Sequence, residues 1–300
     1  MALAVFPPAS VHCSMNNQNF AGRFRRAARR PPAPPANLAR VRAGLTTARD
    51  AQGNHSASQL PRVQGLDYYG ECRGVRDTGG DFHDFVALAP HGLAVSVGDV
   101  SVQGPGSGIL MSGLRALLRG LAVHGPLGIG RMVRDLNRAF WQASPGDFFA
   151  TLFHACVDPD RRQIEYVSAG HESALLVRSR GGRVHRLEST GTVLGLTDRA
   201  VYGHRTLPLE PGDLLIAHTD GVVDAGDSDG GAFGEKGILR IVQRHPGARA
   251  CDLAREILEA TDRHACRGRQ DDRTVVVVRL QGDAAGHGEF KAVEEPVLAA

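Results

Sequence analysis

Five aspartates in four short stretches carry the chemistry of this sequence: Asp81 in GGDFHDF, Asp99 in GDVS, Asp220 in TDG and the pair Asp271–Asp272 in QDDRT. Apolar runs of strand character, FVALA, LAVSVG, LLIAHT and RTVVVV, lie beside them. A sheet fixes the side chains at its strand ends, and several strands can bring distant segments to one point. Carboxylates crowded there repel one another and lose hydration, so such a set needs cations. Oxygen donors without a Cys/His cluster favour hard Mg²⁺ or Mn²⁺ over zinc. Two such ions about 4 Å apart, sharing a carboxylate and a water, lower that water's pKa and offset charge on a phosphoryl group. The chemistry implied is metal-assisted hydrolysis of a phosphate ester. Taken singly, each stretch also fits an ordinary role: a turn at Asp220, a helix cap at Asp99, a loop end at Asp271–Asp272.

The elements that must position these acids can be read from periodicity. LDYYGEC, FHDFVALA and LAVSVGDV alternate as strands, the last two joined by a turn at Pro90–Gly92. Two amphipathic helices follow, one with Ile109, Leu110, Gly113, Leu114, Leu117 and Leu121 on its apolar face and Arg115 and Arg119 leaving it, the other with Met132, Val133, Leu136 and Phe140. Strands then recur in FFATLFHACVD, QIEYVSAG, SALLVRS, RVHRLE, HRTLPL and DLLIAHT, with DPDRRQ and RSRGGR as hairpin turns. Helices over Lys236–Gln243 and CDLAREILEAT precede a last strand, RTVVVVRLQ. Strands in runs with helices inserted in pairs predict an α+β fold: two mainly antiparallel sheets face to face, helices outside.

Charge divides the chain. Residues 1–65 hold nine arginines and one acid while the whole chain carries only +3, so the remainder is mildly acidic and gives no sign of a nucleic-acid-binding core. MALAVFPPAS followed by Arg-rich, acid-poor sequence has the composition of a transit peptide, and RRPPAPPA equally that of a disordered tail. The expected divisions are a disordered tail over 1–36, a linker with a short helix over 37–65, a catalytic domain over 66–281 and a flexible tail over 282–300. In the linker, Leu38, Val41, Leu45 and Ala48 recur at helical spacing behind Asn37, which suits a homodimer contact or an upstream regulator. Five scattered cysteines, none in a CxxC spacing, argue against a disulfide framework or a zinc site. No apolar run reaches the roughly 18 residues of a membrane helix, and the expected location is cytoplasmic.

The ordered set GGDFHDF, GDVSVQG, LMSGLRALLR, DFFATLFHACVD, YVSAGH, LEPGDLLIAHTDGVVDA, AFGEKGI and QDDRTVVVVRL resembles the PPM-type metal-dependent serine/threonine phosphatases, in the bacterial SpoIIE-like branch, from about Leu66 to Leu280. The resemblance implies an αββα sandwich with two Mn²⁺ or Mg²⁺ ions at one end of the sheets. It implies Asp81, Asp99, Asp220 and Asp271 as metal ligands, with Asp99 bridging and the Val100 carbonyl as a further oxygen. Asp272 is expected to support these ligands, and Asp84 to face solvent or make a supporting hydrogen bond. His171 in SAGH is either a general acid or a loop histidine. Arg73 and Arg76 either steer a phosphate or are solvated strand-edge charges. The sequence departs from the family pattern at His83, Val102, Gln103, Ser168 and Asp224, none of which is an expected ligand.

The leading expectation is a phosphoprotein phosphatase acting on phosphoserine or phosphothreonine. The resemblance suggests a STAS-type anti-sigma-factor antagonist as substrate, within partner-switching signalling. The alternative is a regulatory binding module of the same fold that turns over slowly or not at all. A third reading, nucleic-acid binding through the Arg-rich segment, predicts steep salt dependence.

Overall fold

Alternating apolar residues build two five-stranded antiparallel sheets in a computed structural model describing residues 60–74, 80–101, 105–123, 128–144, 148–228, 230–266 and 271–282. The first sheet contains β1 (Leu66–Arg73), β6 (Ala174–Val177), β7 (Val184–Leu187), β9 (Leu214–His218) and β10 (Arg273–Leu280), in the order β1-β10-β9-β6-β7. The second contains β2 (Asp81–Leu88), β3 (Gly92–Val100), β4 (Ala150–Asp158), β5 (Gln163–Ala169) and β8 (Arg205–Pro208), in the order β2-β3-β4-β5-β8. Helices α1 (Pro105–Val123) and α2 (Ile129–Ala143) follow β3. A single turn, α3 (Asp220–Val223), follows β9, and α4 (Gly234–Arg244) and α5 (Ala250–His264) precede β10. The segments 1–36 and 37–59, residue 76, and the stretch 283–300 lie outside the described residues, and with them the expected tails and linker helix.

Three apolar layers hold the elements in an α–β–β–α order. Phe85, Val95, Val97, Phe153 and Tyr166 of the second sheet meet Leu176, Leu215, Ala217, Val276 and Val278 of the first. Met111, Leu114, Leu118, Val133, Leu136 and Phe140 bring α1 and α2 onto Phe82, Leu152 and Val167. Ile238, Ile241, Leu253 and Ile257 bring α4 and α5 onto Leu175, Ile216, Val275 and Val277. The four valines of β10 thus serve two cores alternately, each stabilising the fold by about 1.5–3 kcal/mol through burial. Val63 also reaches the inter-sheet core, so packed chain begins ahead of Leu66. Among the described residues no helix is long and apolar enough to cross a membrane.

The α+β architecture agrees with the sequence expectation, but the buried face of α1 does not. Met111, Leu114 and Leu118 point inward, whereas Ile109, Gly113 and Leu117 are exposed. Arg115 and Arg119 also turn inward, because an acid lies beneath them. Asp84, buried under α1, accepts from Arg119 Nε at 2.5 Å, Arg119 Nη2 at 2.6 Å and Arg115 Nη2 at 3.3 Å. Of its two expected places, solvent is therefore ruled out and a hydrogen-bonding role is what the structure shows. Burial alone raises its pKa, but the two guanidiniums outweigh it and hold the carboxyl below its usual range.

Ser96 lies opposite Asp84 in β3, and His154 opposite Ser96 in β4. Ser96 Oγ and His154 Nδ1 are 2.8 Å apart. Burial pushes the His154 imidazole down to about 4, against the opposing pull of the Asp84 charge.

Asp84 is buried but Arg119 keeps 46% of its side chain exposed and can turn to solvent, so Asp84→Ala should lower stability by about 1–3 kcal/mol, read from urea unfolding. His154 titrates below its unfolded value of about 6.5, so its contribution is complete above that pH and is lost as pH falls toward about 4. Stability measured across that window should therefore decline, with a slope shallower by about one proton in His154→Gln.

Candidate functional site

The two acids of GGDFHDF sit three positions apart on a strand, and period-two alternation sends them to opposite faces. Asp84 goes to the helix side. Asp81 goes to the seam between the sheets, the same face as Phe85, Val95 and Val97. In the antiparallel register Asp81 lies opposite Asp99, and Asp99 lies opposite Thr151. One row of inward polar residues therefore crosses β2, β3 and β4 at one end of the sandwich.

The first sheet supplies the other half. Thr219, just past β9, and Thr274, in β10, both face Asp81: their hydroxyls donate to its Oδ2 at 2.7 and 2.9 Å. The main chain locks this pair, with Thr274 N donating to Thr219 Oγ1 at 2.9 Å and Thr219 N to Thr274 O at 3.1 Å. Burial, and after it the charge of Asp99, push the Asp81 carboxyl well above its ordinary range, while the two hydroxyls pull it down. A cation in this seam would neutralise that crowding.

Two glycines allow the segments to close. A Cβ on Gly80 would lie 2.5 Å from both Asp99 Oδ1 and the Val100 carbonyl oxygen. Both oxygens therefore approach the Gly80 main chain more closely than any side chain there would allow. A Cβ on Gly221 would overlap the Asp272 carbonyl oxygen and lie 3.3 Å from Asp271 Cβ. That contact brings Asp220, the first residue of α3, beside the Asp271–Asp272 pair. Asp272 Oδ2 in turn accepts from Gly80 N at 3.0 Å, linking the QDD segment back to GGD.

Segments bearing Asp81, Asp99, Val100, Asp220 and Asp271 are thus gathered at one end of the sheets, with Asp272 bonded to the Gly80 main chain. Among the described residues no three Asp, Glu, His or Cys side chains form a closed cation cage. The gathered donors are hard oxygens, and their type fits Mg²⁺ or Mn²⁺.

His171 stands apart from solvent. It is buried, Thr151 Oγ1 lies 2.8 Å from its Nδ1, and burial followed by the neighbouring His218 push its pKa down to about 3. A neutral, enclosed imidazole fits the loop-histidine reading better than the general-acid one.

Arg73 does not lie free beside Asp81. It faces α5 and bonds Glu71 at 2.9 Å and Asp262 at 2.6 Å. Its cross-strand partner Arg273 is buried and bonds the same Asp262. Alternation explains this, since Arg73 and Arg273 share the face of Val275 and Val277 whereas Thr274 shares the seam.

Sequence reasoning missed Glu172. Partial burial, then Asp220, Asp224 and Glu235, push its carboxyl up, although the residue keeps an exposed surface. Its position directly after SAGH at a strand end was the available signal.

Comparison with known proteins agrees with this geometry. The family model described as Stage II sporulation protein E (SpoIIE) matches residues 89–281, well over half of the chain. Protein IcfG of Synechocystis sp. is 29% identical over 222 residues, covering 65% of this chain and 35% of its own length. Phosphoserine phosphatase RsbU of Bacillus subtilis is 23% identical over 239 residues, covering 80% of this chain and 70% of RsbU. The chain therefore spans about a third of the first relative and more than two-thirds of the second. The crystal structure of the RsbU and RsbW domains of Rv1364c from Mycobacterium tuberculosis superposes with a TM-score of 0.62 at 26% identity, covering 74% of this chain and 62% of that one. With its two-sheet sandwich, its acid-bearing strand ends and this match, the chain belongs to the SpoIIE family of PPM-type phosphatase domains.

Proposed function

We propose that this protein is a metal-dependent phosphoprotein phosphatase that hydrolyses phosphoserine or phosphothreonine, with a STAS-type anti-sigma-factor antagonist as its substrate. One observation carries the reading: Asp81 of the second sheet lies opposite Asp99 and accepts hydrogen bonds from Thr219, just past β9, and Thr274 of β10. Family membership and the likeness to a phosphoserine phosphatase support it.

Asp81, Asp99, the Val100 carbonyl, Asp220 and Asp271 would hold two Mn²⁺ or Mg²⁺ ions. Such a pair supplies Lewis acidity toward a phosphoryl oxygen and lowers the pKa of a water. The chain's own contribution is alignment. Thr219 and Thr274 fix the plane of the Asp81 carboxylate, Gly80 admits Asp99 and Val100 to one place, and Asp272 holds the Gly80 main chain. His171, neutral at physiological pH, has no imidazolium proton to give the leaving serine or threonine oxygen. A cytoplasmic location and control through residues 37–65 belong to the same reading.

Release of phosphate from a phosphorylated STAS-type protein should require Mn²⁺ or Mg²⁺ and fall at least about 100-fold in Asp220→Asn. Undiminished release by that variant, or in the presence of a chelator, would overturn the mechanism. Gly80→Ala should separate Asp99 Oδ1 from the Val100 carbonyl and weaken Mn²⁺ binding by about tenfold or more, measured by calorimetric titration.

A further inference from the structure

Two arginines, Arg73 and Arg273, face each other across the last pair of the β1–β10 ladder. Like charges directly opposite one another on a sheet repel. Arg73 shares Glu71 with Arg255, at 2.9 and 3.7 Å, so that acid is divided between two guanidiniums. Arg273 has the greater need of a partner, with 5% of its side chain exposed and a buried Nε that has no hydrogen-bond partner among the described residues. Its charge is met by Asp262 of α5, whose Oδ1 accepts from Arg273 Nη1 while Oδ2 accepts from Arg73 Nη1 at 2.6 Å. One carboxylate thus ties both guanidiniums.

Helix stability does not account for an acid at this place. Asp262 lies in the last turn of α5, where the carbonyl end of the helix dipole disfavours negative charge. The seam supplies the better reason. On either side of Arg273 in the chain stand Asp272, which accepts from Gly80 N at 3.0 Å, and Thr274, which donates to Asp81 Oδ2 at 2.9 Å. Asp271 is one residue further out. Arg273 therefore anchors, from the helix side, the stretch of backbone that carries these seam residues.

We infer that Asp262 is a positioning residue: by tying Arg273 and Arg73 together from α5 it keeps the outermost β1–β10 pair closed, and with it holds Asp271, Asp272 and Thr274 in place for the metal centre. This rests on the metal-centre reading above, and Asp262, on the helix side of the sheet, acts only through the arginines. Without its carboxylate the two guanidiniums repel across the ladder, and Arg273 must reach water from a buried position. Its main chain moves with it, and the seam residues beside it follow.

The test is calorimetric titration of the full chain with MnCl₂, with urea unfolding to confirm that each variant is folded. Asp262→Ala should weaken Mn²⁺ binding about tenfold, the lower end of what losing an outer partner costs, because the effect reaches the ligands through Arg273. Arg273→Met removes the charge that needs a partner and keeps an unbranched apolar stem. Added to Asp262→Ala, it should restore most of the lost affinity. An acid that merely stabilised α5 would give no such rescue. Wild-type affinity in Asp262→Ala, or a double variant that binds as weakly as the single one, would overturn the inference. Should Asp262→Ala fail to fold, Asp262→Asn takes its place and is read by the same two outcomes. A wild-type chain that binds Mn²⁺ but releases no phosphate would sink the phosphatase reading alone; one that binds no Mn²⁺ would sink both.

Discussion

The acidic end of this molecule depends on one carboxylate oxygen shared between two sheets. Asp81 Oδ2 receives hydroxyls from Thr219 and Thr274, and these are themselves tied together through main-chain bonds. Hydrogen bonds to a buried charge are worth about 1.5–3 kcal/mol each, enough to fix geometry but not enough to cancel the repulsion of neighbouring carboxylates. The sandwich thus holds its acids in alignment while leaving them electrostatically unfinished. An arrangement of that kind is suited to receiving cations rather than to maximising the stability of the free chain.

Around that seam, the alternation of strand side chains separates function from scaffold. Asp81, Asp99 and Thr151 occupy the inner row, and Asp84, Ser96 and His154 form a second polar row on the outer face of the same three strands. The outer row engages α1 through Arg115 and Arg119. Neighbouring residues of one short motif consequently serve opposite sides of a sheet, and the spacing of three between the two acids decides which.

Much of this was legible in the sequence because strand boundaries and the buried valines of β10 follow directly from local pattern. The acid-bearing stretches could be recognised as strand ends, and their order carried the family resemblance. What escaped were contacts set by long side chains. Arg115 and Arg119 look solvent-bound by helical periodicity, yet their stems cross apolar surface to reach Asp84. Arg73 looks like a strand-edge charge near Asp81, yet register places it opposite Arg273 and under Asp262. The clustering of Glu172 with Asp220, Asp224 and Glu235 depends on how loops fold back, which no local pattern encodes.

The short strand β8 has a consequence of its own. It closes one flank of the second sheet with four residues, most of them exposed, and it ends in Pro208, which has no amide hydrogen to offer. Arg205 adds a charge at its start. A foreign strand laid along this border would meet a brief, interrupted ladder, so the flank resists amyloid-like growth of the sheet.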